Sequence, residues 1–332
     1  MEAVVRLART RFSPLIIVAG TIAILYGVRN ITYAHPMYAP QMFQDFMTFA
    51  GSILIESLPF VLLGIFLSVA VQVWLPANVM TRLLPERGWL RRLYISCFGV
   101  FLPVCECGNL PLARGLIAGG LKPAESLTFL LAAPILNPIT LITTHQAFPA
   151  DIRILLARAF GALIIANIVG WIFSKHHKQE ELLTLEFAAA CAAPDPHTHG
   201  KVERSLQLFN KETAAILPAL CIGAIIAGAV QVLVPRSVLL GVGGSATLSI
   251  IVMMTLAFVV AICSNVDAFF ALAFSTTFSV GSIVSFLVFG PMIDIKMLSL
   301  MRTTYRPKVL MQVSLLVALM SLAIGLGVNY AF

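Results

Sequence analysis

The sequence predicts an all-α polytopic membrane protein: an inverted repeat of helices with a broken re-entrant hairpin in each half, plus one extra N-terminal span. Three observations predict it. Of 332 residues, 59% are hydrophobic and only 11% are charged, where soluble domains carry ~25% charged residues. The apolar residues fall in continuous runs of span length, not in the alternation of a membrane barrel. The chain also repeats itself at an offset near 159 residues. This composition excludes most soluble enzymes, nucleic-acid binders and disordered proteins. Six cysteines are too sparse for a disulfide-built secreted scaffold.

The runs follow in order. Pro14–Val28 is the first, after Arg6, Arg9 and Arg11. No small-residue cleavage site follows it closely, which favours an uncleaved span over a signal peptide. Tyr33–Gln41, with Pro36 and Pro40, reads as an external loop, so residues 1–46 form the N-terminal span and its loop. Phe49–Leu75, Leu93–Val104, Ser126–Phe148 and Ile152–Phe173 give a first transmembrane repeat over residues 47–174. Residues 175–210 are polar, hold Pro194-Asp195-Pro196, and read as a cytoplasmic linker. Its His176, His177, Cys191, His197 and His199 read as solvated residues before they read as a metal tract. Ala214–Val234, Ala246–Ile262, Ser282–Leu300 and Val309–Val328 give a second, inverted repeat over 211–332.

Charge fixes an orientation. The net charge of +7 comes from 22 basic against 15 acidic residues. With the N-terminus inside, sixteen Lys and Arg fall on cytoplasmic segments and three, Arg29, Arg153 and Arg236, outside. That bias is strong enough to fix the orientation. Arg114, Arg158 and Lys296 fall within or near apolar runs. Because Arg91, Arg92 and Lys122 are all inside, the chain between them must enter the membrane and return. Leu93–Val104 is too short for a full span. The simplest reading is a hairpin that breaks near Cys105, tolerated at depth only where it is buried in protein or lines a wet cavity.

The repeat is explicit. Leu58-Pro59, Gly64, Ala70-Val-Gln-Val73 and Pro76 recur as Leu217-Pro218, Gly223, Ala229-Val-Gln-Val232 and Pro235. With slips of one and two residues, Cys105 matches Cys263, Asn109 matches Asp267, Pro134 matches Pro291 and Asn137 matches Asp294. An odd number of crossings per repeat turns the second copy upside down, the plan by which secondary transporters build a central site.

Chemistry concentrates at the breaks. Pro103-Val-Cys-Glu-Cys-Gly-Asn-Leu-Pro111 places Cys105, Glu106, Cys107 and Asn109, followed by Arg114, where polar atoms are costly. The structural alternative is that Glu106 and Arg114 satisfy each other. The second copy supplies Cys263, Ser264, Asn265 and Asp267. Pro134, Asn137, Pro291 and Asp294 sit in proline-broken spans, where freed carbonyls can line a path or the prolines can merely kink the helix. Buried carboxylates such as Asp267, Asp294 or Glu106 suit proton coupling, unless Asp267 or Asp294 pairs with Lys296 or Arg114. Thiolates suit soft metals and metalloids, although Cys-x-Cys alone is a weak signal and buried cysteines are common.

Cys105-Glu-Cys-Gly-Asn-Leu-Pro-Leu-Ala-Arg-Gly115, Phe129-Leu-Leu-Ala-Ala-Pro-Ile-Leu-Asn-Pro138 and Cys263-Ser-Asn-Val-Asp-Ala-Phe-Phe-Ala271 resemble the bacterial predicted-permease family of YraQ-like and ArsP-type permeases. The resemblance runs from about Phe49 to the C-terminus. ArsP-type members export trivalent organoarsenicals, so it implies a thiol-seeking substrate near the cysteines. Where the family pattern has Cys-Ser-Cys-Gly, this chain has Cys-Glu-Cys-Gly, with a negative charge beside the thiols.

The function expected is an inner-membrane secondary permease, not an enzyme, moving a small solute or ion by alternating access with proton coupling. The substrate classes expected are thiol-seeking metalloid or soft-metal species. The alternatives are a membrane thiol-disulfide oxidoreductase using Cys105 and Cys107, or a pore. No cofactor, resident metal or nucleic acid is expected, the lipid bilayer is the one certain partner, and the sequence sets no oligomeric state. No P-loop is present, so this chain does not hydrolyse ATP.

Overall fold

The computed structural model describes residues 41–74, 84–101, 105–192, 200–233 and 246–331. The expected first span, Pro103, Pro194–Pro196, His197 and His199 lie outside the described residues. The described residues form helices α1 (Gln41–Trp74), α2 (Gly88–Ser96), α3 (Phe98–Phe101), α4 (Glu106–Ala118), α5 (Pro123–Ala132), α6 (Pro138–Ala147) and α7 (Ile152–Ser174). A 3-10 turn (Gln179–Leu182) and α8 (Leu185–Ala192) lead to α9 (Lys201–Leu233), α10 (Ala246–Val260), α11 (Asp267–Leu272), α12 (Val280–Met292), α13 (Ile295–Met301) and α14 (Pro307–Ala331). Among the described residues there is no strand, only an isolated bridge between Leu183 and Tyr305.

Four long apolar helices (α1, α7, α9 and α14), together with the α12–α13 segment, are long and apolar enough to cross a bilayer. The long four form the outer wall. On α7, Ile152, Leu156, Phe160, Ile164 and Ile168 are exposed at four-residue spacing, a stripe that faces lipid. Three of the shorter helices, α4, α5 and α12, fill the centre. Every residue from Glu106 to Ile117 of α4, all of α5, and Gly281–Met292 of α12 are buried. Of these, α12 is apolar or small all round, the pattern of an interior helix.

The halves repeat in order: a long helix, shorter helices, then a closing long helix. The two opening helices pack side by side and antiparallel. The start of α1 meets the end of α9, where an added Cβ on Gly228 would lie 3.0 Å from Ala50 Cβ. The end of α1 meets the start of α9, where Lys201 Nζ lies 5.5 Å from the Trp74 ring centroid. Gly64 of α1 lies against the backbone of Gly108 on α4, and a Cβ there would overlap the Gly108 carbonyl. Only glycine permits this approach.

Two expected continuous spans are split. Ser126–Phe148 breaks between α5 and α6, and Ser282–Leu300 breaks between α12 and α13. Asn137 Oδ1 accepts the Ile139 N–H at 2.9 Å and so caps α6. Asp294 Oδ1 accepts the Met297 N–H and caps α13. A side-chain acceptor at the N-cap satisfies backbone donors that would otherwise be orphaned at depth. The prolines therefore accompany true breaks rather than mere kinks.

The segment read as a solvated linker packs on one end of the molecule. Leu182, Leu183 and Phe187 are buried there. The Arg306 N–H donates to the Leu182 carbonyl (3.0 Å), the Thr184 N–H to the Thr304 carbonyl (2.9 Å), and the Ala124 N–H to Gln179 Oε1 (3.2 Å). Its apolar residues find a surface made by the loops before α5 and α14. Residues 201–210, also read as linker, are the first turns of α9.

Candidate functional site

In each half a helix ends shortly before a cysteine, and in the first half the next helix starts directly from it. Cys105 is the extended N-cap of α4 (φ −69°, ψ 169°), so Glu106 opens the helix and Asn109 follows one turn later. In the second half α10 ends at Val260, and the chain passes through Ala261 and Cys263 before α11. Gln231 Nε2 of α9 donates to the Val260 carbonyl at 2.8 Å, which ties off the broken helix.

The two breaks touch. Glu106 Oε2 accepts from Ser264 Oγ (3.2 Å), from the Ser264 N–H (3.4 Å) and from the Cys263 thiol (3.6 Å). Glu106 and Ser264 are matching positions of the repeat, as are Cys105 and Cys263, so the site lies where equivalent residues meet. Ligand atoms of Cys105, Glu106 and Cys263 all lie within 4.8 Å of one another, and all three residues are buried. Cys107 donates to Ser57 Oγ of α1 at 3.4 Å. Two soft sulfur donors and a carboxylate converge, a set that fits a soft cation or a trivalent metalloid.

Two buried ion pairs flank this cluster. Lys296 Nζ of α13 donates to Glu106 Oε1 at 3.1 Å and to the Ala261 carbonyl at 3.3 Å. Arg158 of α7 clamps Asp267 through both oxygens, at 3.0 and 2.6 Å, and also reaches Thr144 Oγ1 (2.7 Å) and the Ser264 carbonyl (3.4 Å). The Ser264 turn is thus held from both sides. Neither pair is the one weighed from sequence. Glu106 does not pair with Arg114: the two lie two turns apart on one helix, about 12 Å along its axis. Arg114 instead points to the polar end, where its Nε donates to Glu212 Oε2 at 2.7 Å, its Nη1 donates to the Thr303 carbonyl at 3.0 Å, and its guanidinium stacks over Phe187.

The structure therefore brings Cys105, Glu106 and Cys263 together, seats Cys107 on Ser57 of α1, and leaves Arg114 apart. Asp267 is engaged by Arg158, and Asn265 Oδ1 accepts from Thr140 Oγ1 at 3.1 Å, joining the halves. Pro134 offers its carbonyl to Thr140 Oγ1 at 2.9 Å, and Pro291 sits in the last turns of α12, before the Asp294 cap. Asn109 is fully buried, and neither its Oδ1 nor its Nδ2 has a protein partner. Lys296 and Arg158 were missed as site residues, and Ser264 was named only as part of the second break. Their signal was available: Lys296 and Arg158 are cations inside apolar runs, and Ser264 matches Glu106.

Residues 42–330 match the family described as "Predicted permease", ArsP_1. The chain belongs to this permease family. It is similar to the UPF0718 protein YcgR of Bacillus subtilis (strain 168), 37% identical over 272 residues that cover 82% of this chain and 92% of the relative. A protein of Streptococcus mutans serotype c is 32% identical over 291 residues, covering 82% of this chain and 93% of the relative. Its name describes a candidate subunit of a two-component membrane permease complex. No solved structure matches. The family and the membrane-length helices make this a multi-pass membrane transport protein.

Proposed function

We propose that the chain is a secondary permease of the bacterial inner membrane that binds a thiol-seeking metal or metalloid species between Cys105, Cys263 and Glu106. The observation that carries this reading is the buried meeting of those three side chains from opposite halves. A site where matching residues of antiparallel halves meet can be opened toward either face by rocking one half on the other, which is alternating access. Protons couple through the thiols, since a bound cation takes the thiolate and releases its proton. Asn109 supplies an amide to a polar atom or water that travels with the substrate. The polar end, with Arg91, Arg114, Lys175, Arg302 and Arg306, faces the cytoplasm under the positive-inside rule.

The test is transport. Proteoliposomes holding the wild-type chain should accumulate or release arsenite, Cd2+ or Zn2+ down an imposed gradient, with opposite proton movement. Cys105→Ser/Cys263→Ser should lose at least about 90% of that flux while inserting normally, because both soft donors are gone. Undiminished flux in the double variant would remove the thiol site.

A further inference from the structure

A substrate beside Glu106 meets a carboxylate that is already taken. Lys296 is 2% exposed, and its ammonium lies on Glu106 of the first half and on the Ala261 carbonyl of the second. Its backbone is closely packed. An added Cβ on Gly223 of α9 would lie 3.2 Å from Lys296 Cα and 3.0 Å from Ser299 Cβ, so α9 presses directly on this turn of α13. The flexible four-carbon stem is what lets the ammonium move. Ala261 is itself unusual. Its φ of 51° is the one left-handed non-glycine backbone among the described residues, a conformation that persists only where its surroundings hold it. Lys296 on its carbonyl and Gln231 on the carbonyl before it are the groups that do so.

Resting on the substrate class proposed above, we propose that Lys296 is a tethered competitor of the substrate. Its ammonium holds the cation's place at Glu106, and a soft cation binds only by displacing it. The charges balance. Before binding, two neutral thiols, the carboxylate and the ammonium sum to zero. A divalent cation then bonds to two sulfurs and the carboxylate, both thiol protons leave to water, and the displaced ammonium stays in the cavity. Three negative ligands, two charges on the metal and one on the lysine again sum to zero. Lys296 keeps its proton throughout. Displacement also frees the Ala261 carbonyl, so filling the site loosens the turn at which the second half is broken.

The experiment measures Cd2+ binding to the purified full chain. Lys296→Met should bind Cd2+ about tenfold tighter or more than wild type, because the blocked state no longer competes. Lys296→Arg, which keeps a cation on Glu106, should not tighten binding. In wild type, saturating Cd2+ should raise acylation of Lys296 by a membrane-permeant amine reagent, read by mass spectrometry; this arm decides the matter if Lys296→Met does not fold. Affinity in Lys296→Met no higher than wild type, or labelling unchanged by bound Cd2+, would overturn the proposal. Cys105→Ser/Cys263→Ser separates the two ideas. If it abolishes Cd2+ binding while Lys296→Met gives no gain, the thiol site stands and the lysine role falls. If it binds Cd2+ as wild type does, or wild type binds none, both fall.

Discussion

At the residue scale the centre is set by which charge meets which. Asp267 had read as a proton carrier, yet Arg158 clamps it through both oxygens inside the protein, and the same guanidinium reaches the Ser264 carbonyl. In this account Asp267 is a clamp that shapes the second break. Removing one partner of such a buried pair costs about 3–5 kcal/mol, because the other charge is left uncompensated. Asp267→Asn should therefore lower the melting temperature in detergent clearly, and Arg158→Met/Asp267→Leu should regain most of the loss. An Asp267→Asn protein as stable as wild type, with proton-linked flux abolished, would return the carrier role to Asp267. The pairing was not legible from sequence. Arg158 and Lys296 stand out as cations in apolar runs, but their partners lie 109 and 190 residues away. Only the docking of the halves decides them. Cys105 and Cys263 were legible because the duplication itself aligns them, and Glu106 because a carboxylate in a broken apolar run is costly.

At the element scale, short broken helices sit inside a wall of long ones. The wall was readable from apolar runs alone, and so was the break at Cys105. The splits at Asn137 and Asp294 were only half readable: the prolines marked the places, but a kink and a break look alike until a cap is seen. The packing of the 3-10 turn and α8 on the polar end was hidden, because a polar segment with scattered Leu and Phe has no periodic signature. Glycine sets how closely wall and centre approach. Gly64→Ala should push α1 off α4 at Gly108 and so misplace Glu106 two residues earlier, lowering both stability and flux. Gly51→Ala, on the same helix with nothing within 4 Å of the added Cβ, should leave both unchanged. Comparing the two variants in detergent melts and in liposome flux checks this. Equal behaviour would mean that the α1–α4 approach is not tight.

At the scale of the whole molecule, the two opening helices run antiparallel and the matching cysteines face each other between the halves. Everything proposed for substrate, coupling and competition depends on that meeting. It can be tested without knowing the substrate. A chain cut between α8 and α9, with Cys105 and Cys263 as its only cysteines, is treated in membranes with a short bifunctional thiol reagent and run on a denaturing gel. The account predicts that the halves stay joined. Halves that separate, in membranes where both thiols still react with a maleimide, would contradict it.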